Sequence, residues 1–182
     1  MQDDPNITLA IDKTIMTIVR GDMLIDGTEN DEDLGPLEIG FTDGSFLQIE
    51  LIGDGESVTY AWRDHRPPVL SAESCEWERI DLHTAPPFNE LVGQRVTTMD
   101  ILLFGISGEA SRVIAGVGIY TDQNRSIVYY NGGDFAKIFL DDDPPPLPKG
   151  FNLAWKSGRC ISPIKKSLTI RGWTTGVSTS NS

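Results

Sequence analysis

Twice along the chain, short segments of alternating apolar and polar residues are separated by turn residues, a pattern that dictates antiparallel β structure. Leu37-Glu38-Ile39-Gly40-Phe41 alternates, Thr42-Asp43-Gly44-Ser45 reads as a turn, and Phe46-Leu47-Gln48-Ile49-Glu50-Leu51 alternates again. Gly53-Asp54-Gly55-Glu56 then turns the chain into a third strand, Ser57 to Trp62. The arrangement returns as Val117 to Tyr120, Thr121 to Asn124, Ser126 to Tyr130, Asn131 to Asp134 and Phe135 to Leu140. At a constant offset of 79, Phe41 falls on Tyr120, Thr42 on Thr121, Asp43 on Asp122, Ile49 on Val128 and Gly53 on Gly132. Gly21 and Gly93 each precede an apolar strand, Met23–Ile25 and Arg95–Phe104. They lie 72 apart, which puts about seven more residues between the first and second strands of the second unit.

The expectation is an α+β, β-rich fold: antiparallel sheets from two similar helix-plus-hairpin units, 12–63 and 86–140, with few short helices. Asp12 is placed to cap a turn or two in which Ile15, Met16 and Val19 share one face. Pro86 to Val92 fits a short helix opened by proline and stopped at Gly93. Between the units, Cys75 to Leu82 reads as one strand. Asp141-Asp142-Asp143-Pro144-Pro145-Pro146-Leu147-Pro148 cannot enter a sheet interior and is expected to be an extended, stiff connector. A closing segment, 149–173, holds strand patterns at Phe151–Trp155 and Leu168–Trp173, expected to fold back on the first unit. A single domain over 1–173 results, with 174–182 as a disordered polar tail.

Charge narrows the function classes. The chain of 182 residues carries a net charge of −12, so a nucleic-acid binder working through a basic surface is not expected. Residues 1–60 hold 14 acidic and 2 basic side chains, whereas 149–182 hold 6 basic and none acidic. Asp26, Glu29, Asp31, Glu32 and Asp33 place five carboxylates in eight residues, and Asp141, Asp142 and Asp143 form a second cluster. Such runs repel themselves and must be solvated or meet cations. Calcium is not that cation: an EF-hand loop opening at Asp26 would have Asp31 where glycine is needed and Leu37 where glutamate is needed. No apolar run approaches a membrane span. The acidic start, Met1-Gln2-Asp3-Asp4-Pro5, and only two cysteines, Cys75 and Cys160, point to a cytoplasmic, reducing compartment.

No residue set reads as catalytic, and no enzyme is expected. Cys75, His83 and Asp81 form the one nucleophilic constellation available, but on a single strand Cys75 and His83 would stand roughly 26 Å apart. Zinc-ligand spacings are missing, and the glycine-rich stretches carry no phosphate-loop lysine, so neither metal nor cofactor is expected. Tyr60, Trp62, Tyr129 and Tyr130 sit at strand positions that suit packing better than stacking on a ligand.

The segments Phe41-Thr42-Asp43-Gly44-Ser45-Phe46-Leu47-Gln48-Ile49 and Ser126-Ile127-Val128-Tyr129-Tyr130-Asn131-Gly132-Gly133-Asp134 resemble those of bacterial immunity proteins. These protect cells from toxins delivered by type VI secretion or contact-dependent systems. The resemblance covers residues 18–140, and the basic C-terminal end departs from it. It implies a stoichiometric protein partner, a toxin domain whose active site is occluded. A basic nuclease would be met by Asp26, Glu29, Asp31, Glu32, Asp33, Asp141, Asp142 and Asp143. The residues alone leave two alternatives: a self-assembling structural protein that pairs its strand edges, and a ligand-binding module with an aromatic pocket.

Overall fold

A computed structural model describes residues 5–25, 28–52, 57–66, 76–106, 113–131, 136–142 and 151–157. After a 3-10 turn at Pro5–Ala10 come five strands: β1 (Ile15–Ile25), β2 (Thr28–Phe41), β3 (Phe46–Leu51), β4 (Val58–Arg63) and β5 (Glu76–Asp81). Short 3-10 turns at Leu82–Thr84 and Phe88–Leu91 lead into five more: β6 (Val96–Ile106), β7 (Val113–Thr121), β8 (Ser126–Asn131), β9 (Ala136–Leu140) and β10 (Phe151–Ser157).

The strands form two antiparallel sheets, ordered β4-β3-β2-β1-β5 and β10-β6-β7-β8-β9. Each is a four-stranded meander whose first strand is flanked on its free side by a returning fifth strand. The inner faces share one core. Ile15, Ile18, Leu37, Ile39, Leu47 and Ile49 from the first sheet join Met99, Ile101, Val117, Ile119, Ile127 and Tyr129 from the second. Burial of this apolar area is the main force joining the sheets. The Tyr129 hydroxyl donates across to the Gly35 carbonyl at 3.3 Å.

A pseudo-twofold relation organises the junction. Asp12 N–H donates to the Val96 carbonyl at 2.8 Å, and Gly93 N–H to that of Ile15 at 2.9 Å. Ile15 N–H donates to the Gln94 carbonyl at 3.0 Å, and Val96 N–H to that of Lys13 at 2.8 Å. Adding 81 to the residues of one bond in each pair gives the other bond with its two segments exchanged. The bridge between Thr14 and Arg95 sits at the centre. Asp12 (φ 68°) and Gly93 (φ 83°) occupy the same left-handed position in the two halves.

The junction and the two turns thus share backbone conformation, at spacings that differ from the expected offset of 79. The offset is 81 through the first strands and 80 at the next turn, where Gly44 (φ 85°) corresponds to Asn124 (φ 60°). There Phe41 N–H donates to the Ser45 carbonyl and Thr121 N–H to that of Arg125, both at 2.9 Å. Phe41 therefore matches Thr121, not Tyr120; a one-residue slip would reverse every side chain. Gly93 matches Asp12, not Gly21, and with that the seven extra residues vanish.

Two further expectations are corrected. The helix proposed after Asp12 is β1. Ile15, Ile18 and Val19 are β-branched and fully buried, and Ile18 and Val19 lie on opposite faces of the strand. A strand buried on both faces loses the alternation that would distinguish it from a helix. Asp12, with its positive φ, cannot serve as the N-cap. The closing strand β10 pairs with β6 of the second sheet and does not fold back on the first unit. The other closing pattern, Leu168–Trp173, and the tail 174–182 lie outside the described residues.

Candidate functional site

The expected acidic loop is instead part of a long hairpin. β3 pairs with β2 only from Leu37 to Gly40, whereas β1 and β2 stay paired out to Ile25 and Thr28. Asp26-Gly27, the sequence favoured in two-residue hairpin turns, joins that last pair and lies outside the described residues. Along the hairpin, Asp22 opposes Leu34 and Leu24 opposes Glu29. Asn30, Asp31, Glu32 and Asp33 therefore stand against the single residue Met23, a large bulge on β2. Bulges re-aim a strand and end its pairing. Here the bulged backbone comprises Asn30, Asp31, Glu32 and Asp33, with Glu29 just beyond it. On the other side of β1, β5 runs alongside, with Glu78 opposite Asp22 and Glu76 opposite Leu24.

The base of this acidic arm is built from buried charge. Asp22 is 3% exposed and accepts a hydrogen bond from Arg20, while Asp22 Oδ1 and Arg20 Nε have no hydrogen-bond partner among the described residues. One face away, Glu38 is also buried. Its carboxylate accepts from Arg79 at 2.9 Å and from Arg66 at 3.3 Å. Arg66 also approaches Asp81 at 3.9 Å.

The second acidic cluster is used within the chain. Asp141 accepts from Arg125 Nε at 2.6 Å and from the Ser126 N–H at 2.9 Å. Arg125 also pairs with Glu90, and these two carboxylates raise the affinity of its guanidinium for its proton. Asp142 is exposed, and Asp143 lies outside the described residues. At the first turn, Asp43 is held at about 2 by Lys13, assisted by the Ser45 hydroxyl and N–H. Burial pushes the Tyr130 phenol up.

The nucleophilic constellation is not assembled among the described residues. Cys75 and Cys160 lie outside them, His83 sits on a 3-10 turn with Nδ1 3.1 Å from the Ile18 carbonyl, and His65 is exposed. Among the described residues no three His, Cys, Asp or Glu side chains are grouped to hold a metal. No helix there is long and apolar enough to cross a membrane. Tyr129 and Tyr130 are buried, and Trp62 stacks on Phe41 at 5.6 Å, so these aromatic rings pack rather than line a pocket. Sequence reasoning found the carboxylates but missed the bulge. Its signal was present: Leu34, Leu37 and Ile39 keep strand character up to the acidic run, and an Asp-Gly turn lies beyond it.

A comparison with family models, curated proteins and solved structures finds no match to the chain.

Proposed function

We propose that this protein is an immunity protein, which neutralises a bacterial toxin by seating its acidic arm in the toxin's active-site groove. One observation carries the reading: the β1–β2 hairpin extends past β3 and gathers Asp31, Glu32 and Asp33 into a bulge opposite Met23. The corresponding tip of the second unit, 107–112, holds one glutamate and one arginine. We read the two sheets as copies of one unit, a 3-10 turn followed by a four-stranded meander, so the acidic bulge is a departure specific to one copy. A nuclease groove built to hold phosphate is cationic, and a projecting carboxylate cluster competes for it while accelerating encounter. In this reading Asp26 and Glu29 belong to the same contact, and the partner is a basic protein met in the cytoplasm.

Titration calorimetry against the product of the adjacent open reading frame tests it, at low and at high salt. The expected result is a tight one-to-one complex weakened by salt. No binding to a folded partner removes the reading.

A second reading, self-assembly without catalytic activity, has its own support. Leu9 (46% exposed), Met16 (43%) and Val92 (39%) all lie within five residues of the Thr14–Arg95 bridge. Light scattering that shows a defined oligomer of the chain alone would favour it.

A further inference from the structure

β5 closes one end of the first sheet. One side of it pairs with β1 from Val19 to Leu24, and no strand of the described residues pairs with its other side. A strand in that position offers a row of backbone N–H and C=O groups to any extended chain that can lie beside it. Charge is a common guard on such an edge, and the charges of β5 decide what it admits.

The registers place those charges. Leu37, Arg20 and Ile80 form one row across β2, β1 and β5, and Asp22 and Glu78 form the next on the same face. Leu37 belongs to the shared core, so this is the inward face at the point where the core ends. Direct cross-strand partners hold their Cβ atoms about 5 Å apart, and like charges so placed repel. Arg20 answers one oxygen of Asp22. The Asp22 side chain is only 4% exposed, yet its Oδ1 has no hydrogen-bond partner among the described residues. Glu78 beside it is exposed. The two rows therefore set two carboxylates against one guanidinium, and the edge is a cation short. On the opposite face Arg79 is committed to Glu38 at 2.9 Å.

The same registers disfavour a second copy of the chain as the occupant. Antiparallel pairing of two β5 strands keeps their inward faces together, and only two registers then engage more than half of the strand. One sets Glu78 against Glu78 and the other sets Arg79 against Arg79, like charge against like in both.

We infer that the free side of β5 receives an extended segment of a basic protein as an added strand, with a lysine or arginine opposite Glu78 and an apolar side chain opposite Ile80. The inference rests on the reading above that the partner is basic. Main-chain hydrogen bonds supply the attachment, and alternate side chains supply the selection. A cationic side chain opposite Glu78 has one further strand spacing, about 4.8 Å, to cross toward Asp22. The apolar residue two positions away prolongs the row that Leu37 begins in the core. Because β5 runs level with β1 as far as Leu24, the added strand flanks the acidic arm and is continuous with the contact already proposed.

The probe is the capped peptide Lys-Thr-Lys-Thr-Val-Thr-Lys-Thr-Lys, whose symmetric pattern brings Val to Ile80 and Lys to Glu78 in either direction. Titrated into the isotope-labelled full chain at low salt, it should slow exchange at alternate amides between Glu76 and Asp81, those turned away from β1. The same side chains on an N-methylated backbone, equal in charge, should give no protection. Glu78→Gln should weaken peptide binding about two- to fivefold, whereas Asp142→Asn, an exposed carboxylate after β9, should leave it unchanged. No binding, equal binding of the two peptides, or protection of β4 or β9 in place of β5 overturns the inference. The toxin titration is scored separately. A toxin complex with unchanged exchange in β5 removes the added strand and leaves the immunity reading standing, whereas peptide protection without a toxin complex removes the toxin and keeps the edge.

Discussion

Replacing Gly116 by alanine directs a methyl group at backbone that has no room for it. Gly116 lies on β7 between Leu102 of β6 and Tyr130 of β8. A Cβ there would stand 2.6 Å from the Tyr129 carbonyl oxygen and 3.4 Å from the Tyr130 Cα. Carbon and oxygen settle at about 3.3 Å, so β7 and β8 must separate by roughly 0.7 Å. Neither face can absorb the shift, because Tyr129 is locked in the shared core and Tyr130 in the outer cluster. Overpacking of this kind costs about 1–3 kcal/mol. The lower entropy of alanine in the unfolded chain offsets about 0.4–1 kcal/mol of that. The expected net loss is about 1–2 kcal/mol, read as a lower urea midpoint at constant slope by tryptophan fluorescence. Gly44→Ala is the comparison: its Cβ meets nothing within 4 Å, so only the left-handed φ of 85° counts against it. A Gly116→Ala protein as stable as the parent would refute the close approach of β7 and β8.

Asn124→Gly should match or exceed the parent in melting temperature, since Asn124 holds a φ of 60° where its counterpart is Gly44; a clear fall would deny the 80-residue correspondence. Glu38→Ala removes the buried carboxylate that Arg79 and Arg66 share and should cost about 1.5–3 kcal/mol in urea titrations, whereas Arg66→Ala, which leaves the Arg79 contact intact, should cost less than about 1 kcal/mol. Asp43 is held near 2, below its ordinary 3.8, so its contribution is complete above pH 4 and is lost as pH falls toward 2. Asp43→Asn should therefore flatten the acid limb of stability between those values, and an unaltered limb would remove the Lys13 contact. If the proposed toxin partner is the right one, changing Asp26, Glu29, Asp31, Glu32 and Asp33 to their amides should slow association with it and flatten the salt dependence in stopped-flow measurements; an unchanged low-salt on-rate takes the arm out of the interface.

Where residues alternate on a half-buried surface, the strands were legible: β3, β4 and β8 begin and end within a residue of the sequence reading. β1 was not, because Ile18 and Val19 are buried on opposite faces and the period-two signal disappears. The turns themselves were visible, yet the backbone correspondence of Phe41 with Thr121 was not, because sequence similarity does not report backbone conformation. Asp12 and Gly93 share a conformation without sharing a side chain, as do Gly44 and Asn124. Of the candidate site, the charges could be read and their setting could not. A bulge is a mismatch between two strands, and one strand's sequence says nothing of its partner's count. Asp141 looked like a surface charge of the same kind as Asp31, but Arg125, sixteen residues earlier, engages it.

The exchange of backbone hydrogen bonds about Thr14 and Arg95 resembles the interface of a symmetric dimer whose subunits are covalently joined. In a true dimer every substitution occurs twice, so a cluster of carboxylates added to one hairpin would appear on both, doubling the self-repulsion. Joining the copies in one chain lifts that constraint. One hairpin can then carry the acidic run at 29–33 while the other holds a single glutamate and a single arginine at 107–112.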